Sequence, residues 1–378
     1  MNKEFQICSN CVMDTSDPQI VFDANGVCDH CNTFINFTKP EWDSQLKNTK
    51  RNNNIIRGIE ADGSGKDYNC ILGMSGGIDS SYLLHLAVTE YQLKPLVFHV
   101  DAGWNSDIAV NNIEVLVKKL NLELYTEVIN WNQIKDLQLS FFKSGVPHID
   151  TPQDHAFFAT MYKFASEHKI KHILTGANFS TECVRNPKSW MYFQSDATQI
   201  KDIHKKFGTR HINDFPLTSL LWHKIYLPYI KGIKVHKPLN FSNYYKQDAI
   251  SVLKDLYGWQ PYPQKHFESR FTRFYESYWL YEKFGYDTRK VQFSSLILTN
   301  QMKREDALKI LKEKPYDELN IRHDFEYIAS KLDISESDLM TFMSAPNKTY
   351  KDYRNQNYLY EAGKLVNNFL KIEAGQKR

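Results

Sequence analysis

The sequence predicts an α/β fold: a doubly wound parallel sheet, preceded by a small zinc ribbon and followed by a mostly helical C-terminal region. Three observations carry this. Short apolar runs alternate with longer amphipathic stretches between residues 67 and 240, the pattern of buried parallel strands joined by crossover helices. A glycine pair, Gly76-Gly77, falls where the first such run meets the first such helix. Four of the six cysteines stand as two Cys-x-x-Cys pairs in the first 31 residues.

The cysteines come first. Cys8 and Cys11 are separated by 16 residues from Cys28 and Cys31. Each pair makes a knuckle whose thiolates take adjacent corners of a tetrahedron, and two knuckles complete a closed Cys₄ site for structural Zn²⁺. Asp23-Ala24-Asn25-Gly26 supplies the turn between them. Two disulfides or an iron–sulfur cluster are the alternatives, and nothing in the sequence points to secretion. Residues 1–35 are assigned to the ribbon. Residues 36–66, polar and ending in Asp62-Gly63-Ser64-Gly65, are expected to form a helix and a linker.

From residue 67 strands are expected over 70–74, 96–101, 122–128 and 172–176, and helices over 108–120 and 153–168. Ligands in doubly wound sheets sit beyond the carboxyl ends of the strands. Those ends hold residues 75–79, Asp101-Ala102-Gly103-Trp104 and Thr175-Gly176-Ala177-Asn178. The doubly wound domain is placed at 67–240. Beyond it the strand signal fades. Helices are expected over 243–257, 268–284, 303–314 and 322–332, so 241–378 reads as a helical region contributing to the substrate site.

The run Ser75-Gly76-Gly77-Ile78-Asp79-Ser80-Ser81 carries the chemistry. A glycine turn entering a helix lets backbone N–H groups converge on an anion at the positive helix end. The Gly-Lys-[Ser/Thr] ending of a Walker loop is absent. The run resembles instead the pyrophosphate loop (PP-loop) of ATP pyrophosphatases. That likeness makes ATP and Mg²⁺ the expected cofactors. The amides of Gly76, Gly77 and Ile78 would hold the leaving pyrophosphate, with hydroxyl hydrogen bonds from Ser75, Ser80 and Ser81. Asp79 would offer a hard oxygen to Mg²⁺.

With 47 basic against 44 acidic residues, the formal charge of +3 is nearly balanced, which argues against a nucleic-acid partner. Between residues 201 and 237, however, eight Lys and Arg face two Asp, which reads either as a solvated face or as an anion-binding patch. No stretch has the apolar length of a membrane span, and the N-terminus lacks the apolar core of a signal peptide. The expectation is a cytoplasmic protein with no membrane partner.

The Cys₄ pattern, residues 75–81, Thr175-Gly176-Ala177-Asn178-Phe179-Ser180-Thr181-Glu182, Tyr257-Gly258-Trp259 and Lys265-His266-Phe267-Glu268-Ser269-Arg270-Phe271-Thr272-Arg273-Phe274 together resemble the N-acetyl sugar amidotransferases of the WbpG/PseA type. Lys283-Phe284-Gly285-Tyr286-Asp287 and Ser294-Ser295-Leu296-Ile297-Leu298 fit as well. The resemblance implies conversion of a sugar acetamido group to acetamidino in surface-polysaccharide or flagellin-glycan pathways. The acetamido oxygen would attack the α-phosphorus of ATP to give an O-adenylyl imidate, and ammonia would then displace AMP. The sugar would be a pseudaminic or legionaminic acid, or a nucleotide-linked acetamido sugar.

On that likeness Asp79, Lys265, His266, Arg270 and Glu182 are the catalytic candidates. Asn178, Glu182, Arg273 and Trp104 are placed at the substrate. Phe98, His99, Asp101 and Gly176 join the PP-loop at the nucleotide. His266, Arg270 and Arg273 are expected on one helix face, with pairing to Glu268 and Glu276 as the structural alternative. Neither Cys70 nor Cys183 sits in a nucleophile elbow, and Asn2 stands where an N-terminal cysteine nucleophile would be needed. Ammonia is therefore expected from separate glutaminase and cyclase-like subunits similar to imidazole glycerol phosphate synthase. The alternatives are a tRNA-modifying PP-loop enzyme of thiolase type and a nucleotide-binding module without catalysis.

Overall fold

The computed structural model describes residues 4–370. Five strands, β1 (Cys70–Gly73), β2 (Pro95–Asp101), β3 (Leu124–Val128), β4 (His172–Leu174) and β5 (Lys234–His236), form one sheet in the order β3-β2-β1-β4-β5. Every pairing is parallel. The chain leaves β1 to one side for β2 and β3 and crosses back for β4 and β5. The switch point therefore lies between β1 and β4, where such sheets open a crevice at their carboxyl ends.

Alternate residues of the central strands serve two cores, because successive side chains point to opposite faces. Cys70, Leu72 and Val97 pack with the helices Ile78–Thr89, Asp107–Lys119 and Lys246–Tyr257. Ile71, Phe98 and Val100 pack with Trp131–Ser144 and Thr151–Glu167. That second core also takes Phe271, Phe274 and Trp279 from the C-terminal region and Ile328 from the helix Glu318–Lys331. The helical region thus shares the core of the sheet and reaches over its carboxyl edge.

The expected strands appear with bounds shifted by one to two residues. The helices Trp131–Ser144 and Ala197–Phe207 and the edge strand β5 were not expected. Expected helix 268–284 divides: an α-helical turn, Arg270–Phe274, runs into a π-helical stretch, Tyr275–Lys283, with Ser269 capping the N-terminus through Thr272 N–H. In place of one helix and a linker, residues 29–47 form a helix with a π-helical bulge at Phe34–Thr38, and Asn48 caps a second helix, Thr49–Asp62.

In the ribbon, the Cys8 and Cys31 sulfurs lie 3.8 Å apart and those of Cys11 and Cys28 3.6 Å apart. All four fall within 4.8 Å of one another and are buried. A tetrahedron with Zn–S bonds of ~2.3 Å needs sulfur–sulfur edges of roughly 3.8 Å, so the set fits Zn²⁺. Backbone N–H groups of Cys11 and Cys28 approach Cys8 Sγ, which suits thiolate ligands. Gly26 turns the connecting loop at φ +75, with its N–H on Asp23 O.

Candidate active site

The PP-loop is pinned from behind. Trp259 Nε1 and Tyr262 OH both bond the Gly76 carbonyl, at 3.2 and 3.3 Å. Gly76 adopts φ +82, and a Cβ there would lie 2.7 Å from Ala109 O. Only glycine fits this turn. Ser75 and Ser80 share a hydroxyl contact of 3.2 Å, and Gly77 N–H points to Ser75 Oγ. Ile78 starts the helix Ile78–Thr89, so its first-turn N–H groups have no intrahelical acceptor and face the mouth of the loop. Gly176, after β4, packs so close to Asp79 and Ser80 that a Cβ would sit 2.9 Å from their backbone.

A cavity of about 310 Å³ opens here. Its floor is Ser75, Gly77, Ile78, Asp79 and Ser80; its apolar wall is Phe98, Val100, Phe157 and Met161. A second cavity of about 580 Å³ adjoins it, and the two share Phe158, Glu182, Lys265 and His266. The second is the more polar of the two, with Asn178, Gln194, Asn240 and Glu276 in its lining.

Lys265 stands at the junction. Its ammonium lies 3.1 Å from Asp79 Oδ2 and 2.6 Å from Glu182 Oε1. The other oxygen of Asp79 accepts from Tyr244 OH at 2.6 Å and Asn178 Nδ2 at 3.2 Å. Burial opposes the charge on Asp79, but Lys265 and Tyr244 outweigh it and hold the carboxyl below its ordinary value. Burial likewise works against the Lys265 charge, and the two carboxylates override it. Lys265 already fills the space between Asp79 and Glu182; the Asp79 carboxylate, on the loop itself, offers the hard oxygens that would suit Mg²⁺ at this mouth.

Several expected residues stand elsewhere. His266 is not on the helix; it precedes it at φ +65 and bonds Glu276 Oε1 at 2.8 Å. Burial depresses its basicity, yet Glu276 raises it to about 9. Arg270 and Arg273 turn away from both cavities and grip Asp324, at 3.2 and 2.5 Å; Arg270 also lies over the Tyr327 ring. Trp104 is a core residue, 1% exposed against Phe271 and Trp131, and its Nε1 donates to Gln138 Oε1. Asp101 caps Gly103 N–H at 2.7 Å and does not line the PP-loop cavity. Ser81 faces the interior, fully buried. His99 lines the cavity but spends both ring nitrogens on Met74 O and Asn105, bracing the loop.

Burial raises the Cys70 and Cys183 thiols to about 12, which leaves neither suited to nucleophilic work. The basic stretch 201–237 does not present one continuous face: Lys206 pairs with Asp202, His204 bonds Asp136, and His223 and Lys237 line the second cavity.

Sequence reasoning missed four contributors. Tyr244 and Lys246 arrive from the far side of residue 240, the latter on the walls of the PP-loop cavity. Asn105 joins the floor beside His99. Glu268 was read only as a charge partner, yet its carboxylate lies 3.3 Å from Ser75 Oγ and against Gly77. Burial raises its carboxyl above the usual range.

The sheet order and the Ser75–Ser80 turn define a PP-loop protein of the nucleotide-using class. Residues 69–241 match the phosphoadenosine phosphosulfate reductase domain family, and residues 268–367 match the C-terminal domain of the LPS biosynthesis protein WbpG-like family. The two matches together describe a PP-loop domain followed by a WbpG-like C-terminal domain. It is 29% identical over 118 residues to an uncharacterized protein of Methanocaldococcus jannaschii; that match takes in 31% of this chain and 40% of the relative. The NMN synthetase of Francisella tularensis superposes at a TM-score of 0.27 with 18% identity, over 57% of this chain and 88% of that one. Among the described residues no helix is long and apolar enough to cross a membrane.

Proposed function

We propose that the protein is an ATP-dependent amidotransferase that converts a sugar acetamido group to acetamidino, releasing AMP and pyrophosphate. One observation carries this reading: the PP-loop cavity adjoins, at Lys265 and Glu182, a larger and more polar chamber. An acceptor held in that chamber has its reacting oxygen at the nucleotide's phosphates.

The apolar wall of Phe98, Val100 and Met161 suits an adenine, and the loop amides with Ser75 and Ser80 suit the leaving pyrophosphate. Mg²⁺ held by Asp79 would supply positive charge to the phosphates. Lys265 lies between the Asp79 and Glu182 carboxylates, where its ammonium offsets charge at the α-phosphate as the amide oxygen attacks. Asn178 and Glu182, both on the chamber wall, orient the sugar. The amide carbonyl is a poor electrophile and its oxygen a poor leaving group; adenylylation remedies both. Ammonia then adds to the imidate carbon. A separate glutaminase with a cyclase-like partner is the proposed source, and zinc in the Cys₄ set braces the ribbon.

The test is Mg-ATP with a high concentration of ammonium salt and a panel of acetamido sugars, following AMP and sugar product by mass spectrometry. AMP appearing with an amidine-bearing sugar is the expected result. AMP formed only when tRNA is supplied would overturn it in favour of a tRNA-modifying enzyme.

A further inference from the structure

The proposed reaction leaves the basic run between residues 201 and 237 without a role. Its centre is a π-helical stretch, Trp222–Ile230, which leads into β5. In a π-helix residues four and five apart lie nearly one above the other. Trp222, Tyr226 and Leu227 therefore share a face, and they pack on the core beneath the sheet, Leu227 fully buried. Leu221, Ile225, Tyr229 and Ile230 share another. They are 62%, 51%, 81% and 68% exposed. Val235, on the edge strand that follows, is exposed as well. One side of the stretch is thus anchored, and the other is an apolar stripe in solvent.

Charge distinguishes the partner this stripe fits. The chain has no Asp or Glu between Asp214 and Asp248. Lys224 precedes Ile225, Lys231 follows Ile230, and Lys234 begins β5; all three are exposed. Lys231 also reaches over the Tyr226 ring at 5.7 Å. On the inner side, Lys163 and Glu167 face Trp222 and Tyr226 across a groove and carry opposite charges. A contiguous exposed apolar surface marks an interaction site. Protein–protein interfaces are depleted in lysine, which disfavours a protein partner here. A helix lying in a membrane interface instead combines an apolar face with lysines and with aromatic rings at headgroup level. Trp222, Tyr226 and Tyr229 supply those rings.

We propose that the outer face of residues 221–235 docks on an anionic lipid bilayer. Leu221, Ile225, Tyr229 and Ile230 enter the boundary between headgroups and acyl chains, and Lys224, Lys231 and Lys234 meet lipid phosphates. Their aliphatic stems cover the rim of the apolar stripe while the ammonium groups stay at the headgroups. Buried apolar area and attraction to anionic lipid add together in such binding. The expectation of no membrane partner came from the lack of a spanning segment. Among the described residues no helix can cross a bilayer, but a stretch that lies in the interface needs no such length. His223, on the same stretch, lines the second cavity, so docking holds that cavity near the bilayer surface. The inference is independent of the amidotransferase reading.

Flotation of the whole protein tests this, with vesicles of phosphatidylcholine alone and of phosphatidylcholine mixed with phosphatidylglycerol. The protein is expected to float with the mixed vesicles, less so as salt is added, and to stay in solution with phosphatidylcholine alone. Lys231→Gln and Lys234→Gln should each lower the partition coefficient about fivefold. Ile225→Asp should abolish flotation. Should that variant fail to fold, Ile230→Ser is the second apolar change, with a loss of about tenfold expected. The melting temperatures of the folded variants should match wild type, since these side chains stand in solvent. Absence of flotation with the mixed vesicles overturns the proposal. Flotation that none of the four substitutions weakens overturns it too, because the bilayer would then be met by another surface. Sedimentation equilibrium decides against a second copy as occupant: a wild-type dimer that Ile225→Asp returns to monomer would assign the stripe to self-association and overturn the membrane reading.

Discussion

Asp79 has three donors on two oxygens, from Lys265, Asn178 and Tyr244, and it is the carboxylate that the PP-loop itself contributes to the cavity. Asp79→Asn should keep the fold by circular dichroism and lower pyrophosphate release by at least about 10²-fold, the scale of losing a preorganised electrostatic contact. Retained turnover would remove Asp79 from the reaction. Glu268 has the opposite sign of effect. Its carboxylate sits against Gly77, where a phosphate must come, so Glu268→Gln should tighten pyrophosphate binding by roughly tenfold. Because its carboxyl is raised, wild type neutralises as pH falls and the gap should narrow; calorimetry at two pH values reads both. His266 gives a third case. Its folded value, about 9 against 6.5, is raised, so its contribution to stability is full below pH 6.5 and lost as pH rises through 9. The difference in melting temperature between wild type and His266→Asn should shrink over that range, and a constant difference would deny the Glu276 pairing its charge.

At the scale of elements, the strand–turn–helix unit around the PP-loop depends on a backbone that side chains would block. Gly76→Ala combines a left-handed φ with a Cβ 2.7 Å from Ala109 O. It should cost about 1–3 kcal/mol, measured by urea unfolding, and weaken nucleotide binding as well, because the Gly76 carbonyl is the anchor for Trp259 and Tyr262. The same scale shows why the expected basic face of residues 266–273 did not form. Helicity begins only at Arg270, after Ser269 as cap, which leaves His266 in the loop. Asp324, buried on Glu318–Lys331, then draws both arginines outward. Spacing places side chains on a face, but it does not say which neighbour that face will meet.

Across the whole molecule, the ribbon is bound to the C-terminal region. Arg304 bonds the carbonyls of Cys8 and Cys11, Lys290 pairs with Asp14, and Ser294 Oγ accepts from Val12 N–H. The ribbon's cysteines also share a core with Val184, Trp190 and Val291, next to the second cavity. Metal binding there is folding energy. Stripping zinc with a chelator should lower the melting temperature of the whole chain and expose the four thiols to reagent. Unchanged melting would separate the ribbon from the fold.

What the sequence determined alone was local: the strand–glycine–helix unit, the knuckle spacing and the parallel alternation all follow from short-range sterics and periodicity, and they lie where expected. Ser75, Ser80, Asp79 and the four cysteines were legible for the same reason. What only the tertiary structure decided was which distant side chains meet. Tyr244 and Lys265 converge on Asp79 from 165 residues away and more, and Glu268 reaches the loop across 193. Trp104 and Arg273 looked functional in sequence and turned out structural, since burial and partner choice depend on a core that both halves of the chain build together.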